Sequence, residues 1–312
     1  MRPALTLLVA GTLALAGCAS ARPAGAPDPA QPAPATLTPA ALALITHGGS
    51  FAADEVLLHR ADETLIARCM AGRGERYVSP PYTPAAATSL SDDDEHPDVA
   101  WRRTVGYSLR LTAAGPPRDG NDAYLATLSE ADQERWSAAL KGDGTRMTSF
   151  HSPSGHTFTS PLDGCIADSG RWLYGSPEQA NRGYYLPQDL RLMFSPKIRA
   201  EPAYRAAAAR WSACMQGRGY RYTGPGEART ELSRQYDRGP ADVVQRAEVA
   251  VALADAQCVT AAGLTTATDR LTRQHTAVLA ADARRQLNAA AADRAAALGR
   301  ARALLAGSAV QG

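Results

Sequence analysis

Apolar positions recur at helical spacing in several stretches of the chain. From Phe51 to Met70, the residues Val56, Leu57, Leu65, Ile66, Cys69 and Met70 follow intervals near three and four, with charges between them. Tyr204 to Met215 is rich in alanine, carries Trp211 and predicts a second helix. After Pro240, a first-turn residue, Val243, Val244, Ala247, Val251, Ala254 and Cys258 share one helical face, and Gly263 caps it. Glu130 to Leu140 reads as a short helix with Ser129 as N-cap and acids in its first turn. Leu264 to Leu305 has no proline and predicts one long helix or a hairpin of two. Its apolar face is thin, mostly alanine with Leu271, Val278, Leu279, Leu287 and Leu298. Such a segment either packs closely on something or projects as a partner-binding arm. Between Tyr82 and Asp163 the pattern weakens, because Ser91–Asp98 is acidic, Gly115–Asn121 is turn-rich and Ser152–Gly155 breaks again.

Twelve residues are written nearly twice. Cys69-Met70-Ala71-Gly72-Arg73-Gly74-Glu75-Arg76-Tyr77-Val78-Ser79-Pro80 returns as Cys214-Met215-Gln216-Gly217-Arg218-Gly219-Tyr220-Arg221-Tyr222-Thr223-Gly224-Pro225, identical at eight positions. In each copy a helix delivers a cysteine in its last turn, and glycines supply the left-handed residue that ends it. The expected fold is therefore mainly α: a disulfide-stapled helical domain of two diverged repeats with an irregular insertion in the first and a long C-terminal helix. The divisions are 40–195 for the first repeat with its insertion, 196–263 for the second and 264–312 for the C-terminal helix.

The segments ahead of this body read as an export address. Arg2 supplies a positive charge, Leu5–Leu15 is an apolar run too short to span a bilayer, and Leu15-Ala16-Gly17-Cys18 matches the bacterial lipobox. Residues 1–17 are expected to be a cleaved signal, with Cys18 lipidated and two acyl chains sufficing for stable anchoring. Residues 18–39, dense in Pro and Ala, read as an extended tether. The expected location is the extracytoplasmic face of the cell membrane.

With Cys18 assigned to lipid, Cys69, Cys165, Cys214 and Cys258 remain, and an even number in an exported chain favours two bridges out of three connectivities. Cys165 and Cys258 both begin a C-x-x-x-x-G pattern, closing at Gly170 and Gly263. One bridge per repeat, Cys69–Cys165 and Cys214–Cys258, follows. There is no C-x-x-C and no nearby histidine pair, so no metal is expected, and no motif calls for a cofactor.

These residues resemble an actinomycete family of exported proteins and lipoproteins with paired Cys-Met…Gly-Tyr and C-x4-G motifs. The second half carries the likeness best, at Trp211-Ser212-Ala213-Cys214-Met215, Gly219-Tyr220, Pro225, Glu248, Ala254-Asp255, Cys258 and Gly263-Leu264. The first half carries it at Ala67-Arg68-Cys69-Met70, Gly164-Cys165 and Leu173-Tyr174-Gly175. The resemblance implies location and architecture and brings no catalytic residues.

The formal charge of +2 and the scattered basic residues argue against nucleic acid as partner. G-x-S-x-G, S-x-x-K and H-E-x-x-H are missing. Ser152, Ser154 and His156, followed by Asp163, contain the residue types of a hydrolytic triad, although proline and glycine there spell a turn. Asp92-Asp93-Asp94-Glu95 lacks the interleaved spacing of a calcium loop. Arg73, Arg76, Arg218 and Arg221 recur after the two helix ends and are candidates for binding an anionic wall or lipid polymer. The function expected is non-enzymatic: a binding or accessory lipoprotein serving an envelope protein or complex. The alternative is an extracytoplasmic hydrolase acting on wall or lipid substrates.

Overall fold

Twelve helices and one β-hairpin make up residues 36–82, 99–110 and 120–309, which the computed structural model describes. In chain order they are α1 (Pro39–Thr46), α2 (Phe51–Gly72), α3 (Val99–Val105), α4 (Gly120–Leu125), α5 (Glu130–Lys141), β1 (Met147–His151), β2 (Thr157–Pro161), α6 (Cys165–Tyr174), α7 (Pro177–Ala200), α8 (Pro202–Gln216), α9 (Pro225–Tyr236), α10 (Ala241–Ala262), α11 (Leu264–Ala277) and α12 (Ala281–Ala309). The lipobox with Cys18, the tether up to residue 35 and the run Asp92–Glu95 lie outside the described residues. No single helix among the described residues is long and apolar enough to cross a membrane.

The duplicated motif builds the same terminus twice. Arg73 N donates to Met70 O and Arg218 N to Met215 O, both at 3.0 Å. Glu75 N and Tyr220 N reach back to those same carbonyls at 2.9 and 3.0 Å. The turn is made at Gly74 and Gly219, with φ of +76° and +88°, a region that costs a residue with a β-carbon about 1–2 kcal/mol. The other glycine of each copy does not take this role: Gly72 ends α2, and Gly217 keeps a right-handed φ of −62°.

Both expected disulfides are formed, Cys69–Cys165 and Cys214–Cys258. Their C-x4-G segments, however, are not structural copies. Cys165 opens α6, and Gly170 lies inside that helix, where an added β-carbon would sit 3.1 Å from Ala180 Cβ. Cys258 lies near the end of α10, and Gly263 is its left-handed cap.

The two repeats share one core. Leu186, Leu190 and Phe194 of α7 pack in the same cluster as Trp211 and Met215 of α8, Val251 and Val259 of α10, and Leu287 of α12. The C-terminal segment breaks after Ala277 into α11 and α12, which do not lie side by side as a hairpin. Nor does α12 project as an arm. Its small residues Ala290, Ala291, Ala297 and Ala301 are buried against α1, α2, α6 and α7. Alanine lets these helices approach closely, so the thin apolar face is a packing face. Charged pairs secure its flanks, with Arg294 Nη1 2.5 Å from Glu55 and Asp293 2.7 Å from Arg182.

The insertion folds across onto the second repeat. Buried seam positions on α10 run Val244, Glu248, Val251, Asp255, Cys258 and Ala262, a regular helical face containing two acids, while Val243 is 49% exposed. Asp255 collects three donors: Arg102 Nη1 from α3 at 2.7 Å, Tyr107 OH at 3.0 Å and Trp211 Nε1 at 2.7 Å. Burial and the nearby Asp255 charge push the Tyr107 phenol well above its usual range, so it stays a donor. Glu248, two turns earlier, accepts from Leu109 N at 2.9 Å and from Tyr236 OH at 2.5 Å. Gly106, at φ +67°, passes so close that an added β-carbon would lie 2.6 Å from Glu248 Cγ. Replacing Asp255 with alanine removes the carboxylate that the buried Arg102 pairs with and is expected to cost about 3–5 kcal/mol. Urea unfolding at unchanged denaturant slope measures this.

Candidate functional site

Serine, histidine and aspartate side chains of hydrolase type gather where the β-hairpin meets α7. The strands pair antiparallel, Phe150 opposite Phe158 and His151 opposite Thr157, leaving Ser152–His156 as the connection. Ser152 N donates to His156 O at 2.8 Å and Gly155 N to Ser152 O at 2.9 Å, which closes the turn. Phe158 stacks on Phe150 and on Tyr185 of α7, with centroids 5.2 and 4.7 Å away. Tyr185 and Asp189 are four residues apart and therefore share one face of α7. The aromatic contact sets the hairpin down, and its tip falls over Asp189.

Asp189 is the centre of the cluster. Its side chain is 3% exposed and takes the Ser152 hydroxyl, the Ser154 hydroxyl at 2.5 Å and His156 Nδ1 at 2.6 Å. Burial raises the carboxyl pKa, but those three hydrogen bonds and the histidine charge outweigh it and hold Asp189 below the usual carboxylate range. An ionised carboxylate only accepts, so His156 carries its proton on Nδ1. The His156 ring is 69% exposed, edge-on to Phe158 at 6.2 Å.

The residue types match the triad considered from sequence, but the carboxylate is Asp189, not Asp163. Asp163 precedes the Cys165 helix and packs where a β-carbon on Gly142 would strike it; its Oδ1 is buried with no hydrogen-bond partner. The arrangement also differs in its wiring from a catalytic triad. Nucleophilic catalysis needs a serine on His Nε2, with the acid on Nδ1. Here both hydroxyls donate to the acid itself, and Ser154 Oγ lies 3.1 Å from the same Nδ1 that Asp189 holds. The geometry clamps a turn and leaves neither Ser152 nor Ser154 poised on Nε2. Among the described residues, no group of three or more His, Cys, Asp or Glu side chains could hold a metal ion.

The arginines of the duplicated motif are largely engaged within the chain. Arg73 pairs with Asp168 at 3.0 Å, and Arg76 lies over the Tyr124 ring at 5.2 Å. Arg218 Nη1 contacts Cys214 Sγ at 2.9 Å while Nη2 donates to Gln257 at 3.1 Å. Arg221 is exposed. The first copy belongs to the cluster of Ile66, Met70 and Trp136, whereas Met215 belongs to the large shared core. Asp189 was not visible in the sequence because it lies 33 residues beyond His156, an acid among the buried α7 positions Leu186, Leu190 and Phe194, with no motif around it.

No protein-family model, curated protein or solved structure matches the chain.

Asp189→Asn removes the charge that three donors converge on and is expected to destabilise the fold by about 1–3 kcal/mol. The folded carboxyl titrates below its unfolded value of about 3.9, so its contribution is present above that pH and lost as pH falls through the folded pKa. Thermal unfolding from pH 6 down to about 2.5 should therefore show an acid loss in the native protein that is smaller in Asp189→Asn.

Proposed function

We propose that this protein is a non-enzymatic envelope lipoprotein, tethered through Cys18 on the extracytoplasmic face of the membrane and serving a protein partner there. The observation that supports this most is the joining of two features. A lipobox stands ahead of a Pro/Ala-rich tether, and the body behind it carries two formed disulfides, which persist in oxidising compartments. The likeness to exported actinomycete lipoproteins points the same way. The residues with catalytic potential support a binding role too, because both serine hydroxyls are spent on Asp189. An anionic polymer is a weaker fit than a protein partner, since Arg73 is neutralised by Asp168.

The hydrolase reading rests on one observation, an exposed histidine oriented by a buried carboxylate. In that reading His156 Nε2 would serve as a base for an external nucleophile such as water.

Two measurements separate these readings. Cys18→Ser should move the protein from the membrane fraction to the soluble extracytoplasmic fraction; unchanged membrane association would contradict the anchor. Cross-linking in the native envelope should recover a reproducible protein partner. Turnover of wall or lipid fragments by the purified protein, abolished in His156→Ala, would instead establish the hydrolase.

A further inference from the structure

The two disulfides are built alike but have unlike neighbours. Each joins a half-buried cysteine near a helix end, Cys69 or Cys214, to a buried one, Cys165 or Cys258. At the second bridge the group touching the half-buried sulfur is a cation: Arg218 Nη1 lies 2.9 Å from Cys214 Sγ, and its other contact is the neutral Gln257. At the first bridge a carboxylate stands near the half-buried sulfur, with Asp168 Oδ2 3.8 Å from Cys69 Sγ. Arg73, the counterpart of Arg218, is drawn onto that carboxylate at 3.0 Å, and Arg171 holds its other oxygen at 2.5 Å.

A thiolate is the product of disulfide reduction, and a guanidinium in contact with it lowers its pKa and stabilises it. At the first bridge the counterpart Arg73 is committed to Asp168, so a Cys69 thiolate gains no such contact from it. We propose that Cys214–Cys258 is a site of thiol–disulfide exchange for a dithiol reductant, while Cys69–Cys165 is a structural staple. One thiolate of the reductant attacks Cys214 Sγ, on the half-buried residue of the pair. The Cys214–Cys258 bond breaks, its electron pair goes to Cys258, and a mixed disulfide forms on Cys214. The reductant's second thiolate then attacks its own sulfur in that mixed disulfide and expels Cys214 as a thiolate beside Arg218. The reductant leaves as a disulfide, having lost two electrons; the protein has gained two, and Cys258 takes a proton from solvent.

The near-duplication supplies an internal control. The full chain in detergent is equilibrated with graded dithiothreitol, free thiols are alkylated, and peptides are mapped by mass spectrometry. Cys214 and Cys258 should become alkylated at roughly tenfold lower dithiothreitol than Cys69 and Cys165. Arg218→Gln should raise the concentration needed at the second bridge by about five- to tenfold and leave the first unmoved. Arg218→Lys keeps the cation and should keep most of the difference. The bridges close loops of 44 and 96 residues, and the Arg218→Gln comparison cancels that difference because it changes the neighbour and not the loop. Arg218 is exposed, so the variant is expected to fold, with far-ultraviolet circular dichroism as the check. Reduction of the first bridge before the second, reduction of both together, or a second bridge unmoved in Arg218→Gln would each overturn the proposal.

Discussion

A buried carboxylate at Asp255 governs how this chain closes. Its side chain has no water to lean on, and a charge taken from water costs several kcal/mol unless donors replace the lost hydration. Those three donors come from two places far apart in sequence: Arg102 and Tyr107 in the insertion, and Trp211 on α8. Arg102 is itself fully buried, so neither partner tolerates the absence of the other. The insertion is thereby forced to dock on α10, and α10 is forced against α8. Cys258, one turn after Asp255 on the same face, is then in place to meet Cys214.

The same device recurs at other junctions. Glu248 gathers Leu109 N and Tyr236 OH, Asp189 gathers the tip of the hairpin, and Asp62 on α2 receives the Ser169 hydroxyl of α6. At Asp189 a regular helix offers an acid and a turn supplies the donors, while Glu248 takes one donor from the insertion and one from the last residue of α9. These contacts explain how segments with weak apolar patterns are held without much apolar area of their own. The balance differs from site to site: burial leaves Glu248 and Asp62 above their ordinary pKa, whereas for Asp189 the serine and histidine hydrogen bonds, with the histidine charge, outweigh burial and take it below its own. The disulfides add covalent closure at two helix ends, and their unlike neighbours give two staples from one motif different chemistry.

Helix positions were legible in the sequence because capping and periodicity are local. Ser129 caps α5 through Asp132 N, Gly263 ends α10, and the duplicated motif produces duplicated hydrogen bonds. The disulfide pairing was legible too, although the C-x4-G likeness behind it proved to be one of sequence and not of backbone. What could not be read was any contact in which an acid stands at a core position. A reading by hydrophobicity puts Val243 and Ala247 on the buried face of α10 and passes over Glu248 and Asp255, yet the structure does the opposite. Asp189 was missed for the same reason, so the candidate cluster was assigned the wrong carboxylate. The role of α12 also escaped, since an alanine face gives the same weak signal whether it is packed or exposed.

Hydrogen exchange under native conditions is the most direct measurement of whether the carboxylates make one cooperative body from insertion and repeats. The Gly106 amide, which donates to Arg102 O at 2.9 Å, reports on the insertion, and the central amides of α10 report on the second repeat. If Asp255 and Glu248 hold the two together, Gly106 should open with the same free energy as α10, at the level of global unfolding. Exchange of Gly106 at the rate of a free loop while α10 stays protected would contradict the account.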